Sequence, residues 1–459
     1  MPLATQLRKE HGTMKKHVVF ALLITLVWVV RAPASALPVE LTVRAKALVT
    51  DLAEGRIDAV TAQLDARMRS ALTADKLTQA WAQLQEQAGP FDSVGQARLT
   101  SAGQHSTVVV DCAFAKAHID ARIVYDRTGK VAGLRFVPHR EALPEHVAVL
   151  PAGLTERTVT VGHAPWELPG TLTLPSGSGP FPAIVLIAGS GPVDRDETIG
   201  PNKVFRDLAW GLARRGIAVL RYDKRTNAHP VACAEQPSFT LDDETVDDAR
   251  AAVRLLAHTE HVDHHEIFIL GHSLGGMAAP RIAEGNPLIA GIVIMAGNVR
   301  PLQDLLLDQT LYLAGLDHEL TPAEKQQIAQ LRAARAQIDD PKLAATDTVT
   351  ILGAKMPASY WLFFRRYHPD RVAAHLSIPM LILQGGRDFQ VQRGDFELWR
   401  AALSGHDNVT FKLYPDLNHL FMPGQGPSSP EEYMHPGHVD SRVIEDIAAW
   451  ILRHCVTAT

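Results

Sequence analysis

The segment from Ile267 to Ala283 restricts the fold more than any other part of the chain. The apolar run Ile267–Leu270 predicts a buried strand, Gly-His-Ser-Leu-Gly follows at 271–275, and Ala278–Ala283 continues as a helix. A nucleophilic serine needs this tight strand-to-helix turn, because only glycine tolerates the crowding two positions before and after it. A structural glycine turn with an incidental serine is the alternative. The strand before and the helix after favour Ser273 as a nucleophile.

The surrounding pattern alternates apolar runs with helical segments. Predicted strands lie at Thr158–Val161, Thr171–Leu174, Ala183–Ala188, Ile217–Arg221, Ile267–Leu270, Met380–Leu383 and Val409–Leu413, with helices at Phe205–Arg214 and Asp243–Leu256. Continuous apolar strands are buried on both faces, so residues 155–455 predict an α/β fold with a doubly wound, mostly parallel sheet. Residues 298–375 interrupt this order and predict a helical lid insertion. Its aromatic side chains either anchor it to the core or, for one or two of them, face a pocket for an apolar acyl group.

Residues 38–142 predict a separate small α+β domain. Helical spacing covers 38–90, and period-two alternation then predicts strands at Phe91–Leu99, Thr107–Phe114, Ile119–Tyr125 and Val131–Phe136. This order of elements resembles the NTF2-like or cystatin-like accessory domains that precede some bacterial hydrolases. Whether the domain binds a partner or joins two copies of the chain as a homo-oligomer is left open by its sequence. Residues 143–155, which contain two prolines, predict the linker.

Charge and cysteine content exclude several classes of function. The formal net charge of -5 and the absence of a long basic run argue against nucleic-acid binding. Cys112, Cys233 and Cys455 are too few for a disulfide framework, and no metal-ligand spacing is present. One bridge, between Cys233 and Cys455, and three unpaired thiols are equally compatible with the sequence.

The first 36 residues predict a secretory signal peptide rather than part of the fold. Lys15 and Lys16 precede the apolar run Val18–Val30, and the small residues at 34–36 predict cleavage after Ala36, with Met14 as the start. The apolar run is shorter than the roughly 20 residues that a membrane span needs. We therefore expect a periplasmic or secreted protein with no stable membrane span after cleavage.

A serine hydroxyl becomes nucleophilic only beside a base, and the base needs an orienting carboxylate. Asp388 follows the predicted strand Met380–Leu383, at the sheet edge where α/β folds place their sites. His419 follows the next predicted strand and lies at the same edge. Asp395 and Asp416 are weaker candidates for the acid, and His435 and His438 are competitors for the base. The order serine, acid, histidine predicts Ser273, Asp388 and His419.

The oxyanion that forms during acyl transfer needs two N–H donors near the nucleophile. One is predicted to be the backbone N–H of Leu274, directly after Ser273. The other is predicted in the glycine-rich loop Gly-Ser-Gly-Pro at 189–192, where we expect the N–H of Ser190 to be the donor. An ordinary glycine turn is the alternative interpretation of this loop.

Five ordered motifs carry a resemblance to a known family. They are Gly-Ser-Gly-Pro at 189–192 with Asp-Arg-Asp at 194–196, Arg-Tyr-Asp-Lys-Arg at 221–225, Gly-His-Ser-Leu-Gly-Gly at 271–276, Gly-Gly-Arg-Asp at 385–388 and Asn-His at 418–419. Together they resemble a bacterial α/β-hydrolase esterase family, also described as serine aminopeptidase-like or lysophospholipase-like. The resemblance covers residues 155–455 and implies the triad Ser273–Asp388–His419 with carboxylesterase activity. Two departures are Ala188-Gly189 in place of His-Gly, and Thr226-Asn227-Ala228 in place of a Gly-x-Gly-x-Ser turn.

The sequence therefore predicts a serine carboxylesterase that hydrolyses small-molecule acyl esters through an acyl-enzyme. This mechanism requires no metal or organic cofactor. A serine aminopeptidase or a thioesterase on the same three residues is the first alternative. A non-catalytic binding protein with the hydrolase fold is the second.

Overall fold

The computed structural model describes residues 38–101, 106–139, 149–316 and 319–455, which divide into two compact units. The first unit comprises the described residues up to 139, and the second begins at 149. The predicted signal peptide at 1–36 lies outside the described residues, as do residues 143–148 of the predicted linker. Among the helices of the described ranges, none has the length and apolar character that crossing a bilayer requires.

The first unit consists of four helices followed by a four-stranded antiparallel sheet. The elements are α1 Pro38–Ala53, α2 Ile57–Gln63, α3 Ala66–Ala71, α4 Ala74–Ala88, β1 Phe91–Ser101, β2 Ser106–Phe114, β3 His118–Tyr125 and β4 Val131–Pro138. The strands pair in chain order, each antiparallel to the next. Apolar residues of α1 and of alternate strand positions form its core, with Trp81 of α4 beside Phe91 and Phe114. This is the α+β order that the change of period predicts.

The second unit is built on an eight-stranded sheet. Its strands are β5 Thr155–Val161, β6 Leu168–Leu174, β7 Phe181–Ile187, β10 Ala218–Tyr222, β11 Val262–His272, β12 Gly291–Met295, β15 Met380–Gly385 and β16 Val409–Tyr414. The spatial order is β16-β15-β12-β11-β7-β10-β6-β5, and β6 alone runs antiparallel to both of its neighbours, β10 and β5. A short antiparallel pair, β8 Thr198–Ile199 and β9 Asn202–Lys203, lies outside this sheet.

Helices cover both faces of the eight-stranded sheet. They are α5 Val204–Ala213, α6 Arg225–Ala228, α7 Pro230–Ala234, α8 Asp247–Ala257 after a π-helical turn at Asp242–Val246, α9 Leu274–Ala283, α10 Leu302–Gly315, α11 Pro322–Asp339, α12 Ala358–Arg366, α13 Pro369–Ala373, α14 Arg393–Ala402, a 3₁₀ turn at Pro430–Met434, and α15 Ser441–His454. The apolar stripes of α5 and α15 pack on one face of the sheet, and those of α8, α9 and α14 pack on the other. Strands such as β12 are buried at every position, as parallel strands between two helical layers must be. The predicted doubly wound fold is confirmed.

The insertion at 298–375 contains more than the predicted helices. It has four helices, α10 to α13. Between α11 and α12 lies a hairpin of β13 Thr348–Ile351 and β14 Ala354–Pro357, which the sequence did not indicate. A capping box begins α11, in which Thr321 and Glu324 exchange hydrogen bonds. Tyr360, Trp361 and Phe364 of α12 are buried in the core.

Cys112, Cys233 and Cys455 are free thiols, so the bridge between Cys233 and Cys455 that the sequence allowed is not formed. Burial raises the pKa of each thiol to about 12. Since the thiolate is the reactive form, none of the three is a competing nucleophile at neutral pH.

Candidate active site

Ser273 occupies a strained turn between the end of β11 and the start of α9. Its φ of 54° and ψ of -117° are rare for a residue with a side chain, and such strain concentrates at functional sites. A Cβ at Gly271 would lie 2.0 Å from the carbonyl oxygen of Gly275, and one at Gly275 would lie 2.1 Å from that of Ile187. The two flanking glycines therefore allow the backbone contacts that hold Ser273 at the end of the sheet.

A cavity of about 420 Å³ opens beside Ser273. Its lining consists of residues 189–194 and 197–199, together with Asn227, His272, Ser273, Gln390 and His419. The predicted nucleophile and base thus share one cavity. No hydrogen bond joins Ser273 Oγ to the imidazole of His419 among the contacts of the described residues, which is common before substrate binds.

Asp388 and His419 form a buried hydrogen-bonded pair. His419 Nδ1 lies 2.7 Å from Asp388 Oδ2, and both side chains are almost fully buried. The other carboxylate oxygen of Asp388 accepts hydrogen bonds from the backbone N–H groups of Gln390 and Val391, at 2.8 and 2.9 Å. Gln384 Nε2 donates to Oδ2 at 3.1 Å. These bonds fix the carboxylate, which in turn holds Nδ1 and leaves Nε2 of His419 available for proton transfer.

The competing acids and bases have other partners. Asp395 is fully buried and accepts hydrogen bonds from Val299, Arg300 and the Arg300 guanidinium. Asp416 forms an exposed ion pair with Arg442. His438 lies beside Asp207, and neither it nor His435 lines the cavity.

The two predicted oxyanion donors lie on either side of the nucleophile. Leu274 is the first residue of α9, where intrahelical bonding leaves the N–H free. In the facing loop, the N–H of Gly189 already donates to Glu197 Oε1 at 2.8 Å. Ser190 lines the cavity and is the next residue that can present an N–H. A Cβ at Gly189 would lie 3.2 Å from Ser273 Cβ, which shows how closely this loop approaches the nucleophile.

Two buried residues next to these groups were missed by the sequence analysis. Glu197 Oε2 lies 2.9 Å from His272 Nδ1, and His272 Nε2 lies 2.9 Å from the carbonyl oxygen of His419. His272 stands inside the Gly-x-Ser-x-Gly motif, so its closeness to the site was a usable signal. Glu197 gave none, because its partner His272 is 75 residues away in the chain.

The charged motif residues at 194–196 and 221–223 brace the loop beside the cavity. Arg221 pairs with Asp196 and Glu156, and Arg195 pairs with Asp223 through two hydrogen bonds. Arg221 and Asp223 therefore hold the neighbouring loop rather than each other. Thr226–Ala228, the second departure from the motifs of the resembled family, belong to the short helix α6.

None of the described residues of the insertion, 298–316 and 319–375, lines the cavity. Its aromatic side chains at 360, 361, 364 and 367 are buried. Anchoring to the core, the first of the two interpretations, is the one that the structure supports. The boundary of the cavity is set instead by residues 189–199, Asn227 and Gln390.

Among the described residues, one cluster has metal-ligand spacing, and it lies in the first unit. Donor atoms of Asp111, Asp120 and His139 lie within 4.8 Å of one another. His139 Nδ1 is 2.6 Å from Asp120, and the cation of Arg98 lies 3.5 Å from the same carboxylate. A guanidinium so close opposes the binding of a second cation.

Both units match known families. Residues 202–424 match the family described as serine aminopeptidase, S33, and residues 45–134 match one described as a protein of unknown function, DUF3887. The chain is 39% identical over 390 residues to the esterase EstD of Thermotoga maritima, which covers 84% of this chain and 89% of EstD.

Solved structures of similar fold are more distant. Est1E from Butyrivibrio proteoclasticus is 15% identical with a TM-score of 0.43, covering 65% of this chain and 98% of Est1E. A puromycin-hydrolyzing peptidase of Mycobacterium tuberculosis is 17% identical with a TM-score of 0.42, covering 80% of this chain and 48% of the peptidase. Scores of this size support no inference about function.

Proposed function

This chain belongs to the bacterial serine hydrolase family of the esterase EstD, and from that premise we propose that its carboxylesterase activity runs through Ser273, His419 and Asp388. The observation that carries the assignment is the buried contact of 2.7 Å between His419 and Asp388, in a cavity that His419 shares with Ser273. A histidine held at Nδ1 by a carboxylate is oriented to accept a proton at Nε2.

In the acylation step, Ser273 Oγ attacks the ester carbonyl carbon while His419 Nε2 takes the hydroxyl proton. The C=O π electrons move to the carbonyl oxygen, where the N–H groups of Leu274 and Ser190 stabilise the negative charge. Asp388 stabilises the imidazolium of His419 that forms. When the tetrahedral intermediate collapses, His419 gives its proton to the departing alkoxide and the alcohol leaves.

In the deacylation step, water takes the place of the alcohol. His419 removes a proton from the water as its oxygen attacks the acyl carbon, and the same two N–H groups hold the oxyanion. Collapse breaks the bond to Ser273 Oγ, which regains its proton from His419. The products are a carboxylic acid and free enzyme. These two steps need no group beyond those of the chain and water.

A fluorophosphonate probe combined with p-nitrophenyl esters of increasing chain length tests the assignment. We expect labelling and hydrolysis in the wild type, and a loss of at least about 10⁴-fold in kcat for Ser273→Ala. Ser176→Ala removes an exposed loop serine and is the matched control, with unchanged labelling. Labelling that survives in Ser273→Ala would show that the nucleophile is another residue.

Aminopeptidase activity on the same site is the second candidate, favoured by the description of the family matched at 202–424. The same Ser-His-Asp chemistry cleaves amides, so the three residues alone do not separate the two reactions. Turnover of a short-chain aryl ester and of an aminoacyl anilide, measured side by side, decides between them. We expect kcat/KM for the ester to be the larger.

Export to the periplasm or the medium is the third part of the proposal. Its support is the order of Lys15 and Lys16, the apolar run Val18–Val30 and the small residues ending at Ala36. Cell fractionation with N-terminal sequencing tests it. We expect the exported chain to begin at Leu37; an unprocessed chain confined to the cytoplasm would overturn this part alone.

A further inference from the structure

A buried ion pair lies where the three parts of the proposed active site meet. Glu197 accepts the N–H of Gly189 through Oε1, at 2.8 Å, and faces His272 Nδ1 through Oε2, at 2.9 Å. His272 Nε2 lies 2.9 Å from the carbonyl oxygen of His419. Glu197 and His272 are 2% and 1% exposed. Three hydrogen bonds thus connect the oxyanion loop, residues 189–191, through Glu197 and His272 to the backbone of His419.

The partners of His272 determine its protonation state. A carbonyl oxygen and an ionised carboxylate only accept hydrogen bonds, so both ring nitrogens of His272 must donate. With Glu197 ionised, His272 is therefore an imidazolium. Burial by itself lowers its pKa, but the Glu197 carboxylate and the carbonyl of His419 outweigh burial, so the pKa of His272 is raised. A charged His272 can hold two acceptors at once, which the neutral ring cannot.

The backbone around Glu197 is built to deliver this carboxylate. Glu197 has a φ of +49°, a conformation that residues with side chains seldom adopt. The preceding turn is fixed by Asp194, whose carboxylate accepts hydrogen bonds from the N–H groups of Asp196 and Thr198. Strain of this kind persists only where surrounding contacts enforce it, and it is concentrated at functional sites.

We propose that Glu197 and His272 are positioning residues that fix the oxyanion loop and His419 relative to Ser273. The inference rests on the proposed function, because it takes Ser190, Ser273 and His419 as the acting groups. By binding the N–H of Gly189, Glu197 sets the orientation of the loop from which the next N–H, that of Ser190, reaches the oxyanion. By binding the carbonyl oxygen of His419, His272 fixes the position of the His419 imidazole relative to the turn that carries Ser273.

Truncation of Glu197 tests the proposal through kcat and KM measured separately on a short-chain p-nitrophenyl ester. A displacement of about 1 Å in a catalytic group costs about 100-fold in rate, so Glu197→Ala should lower kcat by about that factor. KM should change by less than about threefold, because the pair acts on groups that matter most in the transition state. Glu197→Gln keeps the size of the side chain and an acceptor for Gly189, and should recover at least about tenfold of the lost kcat.

Asp196→Asn is the matched control. Asp196 is the neighbouring residue and pairs with Arg221 and Lys203, but it does not line the cavity. Arg221 is buried and keeps its contacts with Glu156 and Thr173 in this variant, so the melting temperature should fall while kcat stays within about twofold. His272→Gln has one amide nitrogen, which can reach either Glu197 or the carbonyl oxygen of His419 but not both, so kcat should fall by about tenfold. This variant serves as the test if Glu197→Ala does not fold.

The proposal is overturned if Glu197→Ala and His272→Gln keep kcat within about twofold of the wild type, or if they lose only what Asp196→Asn loses. In either case an inactive Ser273→Ala would leave the proposed function intact. Hydrolysis that persists in Ser273→Ala would instead remove the proposed function and the positioning role with it.

Discussion

The nucleophile turn at 271–275 and the oxyanion loop at 189–191 face each other across the cavity but are held in place in different ways. The turn is fixed by close contacts of its own backbone, with no room for a Cβ at Gly271 or Gly275. The loop is fixed by side chains that come from elsewhere. Glu197 takes the N–H of Gly189, Lys224 donates to its carbonyl at 2.6 Å, and Thr226 donates to the carbonyl of Gly191 at 3.2 Å.

The support of the loop extends into the insertion. Lys224 forms a buried ion pair with Glu244 at 2.6 Å, and Tyr360 of α12 donates its hydroxyl to Glu244, also at 2.6 Å. Burial and the Glu244 carboxylate raise the pKa of Tyr360 well above its ordinary value, so the phenol stays a neutral donor. Local packing therefore holds one side of the site and long-range charge pairs hold the other. Substitutions on the two sides should therefore differ in how much they change kcat and how much they change the free energy of unfolding.

The largest effect is expected on the side held by backbone packing. Gly275→Ala places a Cβ 2.1 Å from the carbonyl oxygen of Ile187, so the turn must move. We expect kcat/KM to fall by about 10³-fold and the free energy of unfolding by about 1–3 kcal/mol. Steady-state kinetics and chemical denaturation measure the two. A stable variant with wild-type kcat/KM would show that the turn is less constrained than its contacts indicate.

A methyl group on the facing loop should affect rate more than stability. In Gly189→Ala, the Cβ would lie 3.2 Å from Ser273 Cβ and 3.3 Å from Glu197 Oε1, a contact that a few tenths of an ångström of movement relieves. We expect kcat to fall by about 30-fold with a change below about 1 kcal/mol in stability. An equal loss in both quantities would mean that the loop, like the turn, is fixed by packing.

Removal of the Lys224 ammonium should separate stability from catalysis. Lys224→Met leaves the buried carboxylate of Glu244 unpaired, which typically costs about 3–5 kcal/mol, and frees the carbonyl of Gly189. We expect kcat to fall by about tenfold. In the double variant Lys224→Met, Glu244→Gln, most of the stability should return while kcat stays low. Recovery of kcat together with stability would show that Lys224 supports the fold alone.

The smallest effect is expected from Thr226→Val, which keeps the shape of the side chain and removes one hydrogen bond of 3.2 Å to Gly191. A single neutral hydrogen bond contributes about 0.5–1.5 kcal/mol, so kcat should change by about twofold. Kinetics on the same ester measure it. A tenfold loss would place the main support of the loop at Gly191 rather than at Gly189.

The same contrast explains what the sequence could predict. The strand-to-helix turn, the parallel sheet and the positions of Asp388 and His419 at its edge follow from short patterns, because each depends on residues adjacent in the chain. The hairpin at 348–357 carried no such pattern, since its strands have only four residues each. The roles of Glu197 and Lys224 were equally hidden. Glu197 contacts His272 from 75 positions away and Lys224 contacts Gly189 from 35 positions away, and a charged residue in a loop is ordinarily exposed.

The insertion shows the limit of composition as a guide to specificity. Its aromatic cluster was compatible with anchoring to the core and, for one or two side chains, with a pocket for an apolar acyl group, because helical spacing does not tell whether a face meets the core or a cavity. In the structure these side chains are buried in the core or pack against it. The cavity is bordered instead by Ser190, Thr198, Asn227 and Gln390, whose polar groups give no periodic signal.

A crystal structure of the protein after reaction with a fluorophosphonate tests the central claim most directly, because the bound phosphonate resembles the tetrahedral intermediate. We predict phosphorus bonded to Ser273 Oγ, with the phosphoryl oxygen about 2.7–3.1 Å from the N–H groups of Leu274 and Ser190. His419 Nε2 should lie within hydrogen-bonding distance of Ser273 Oγ. An adduct on another residue, or a phosphoryl oxygen held away from residues 189–191, would contradict the account.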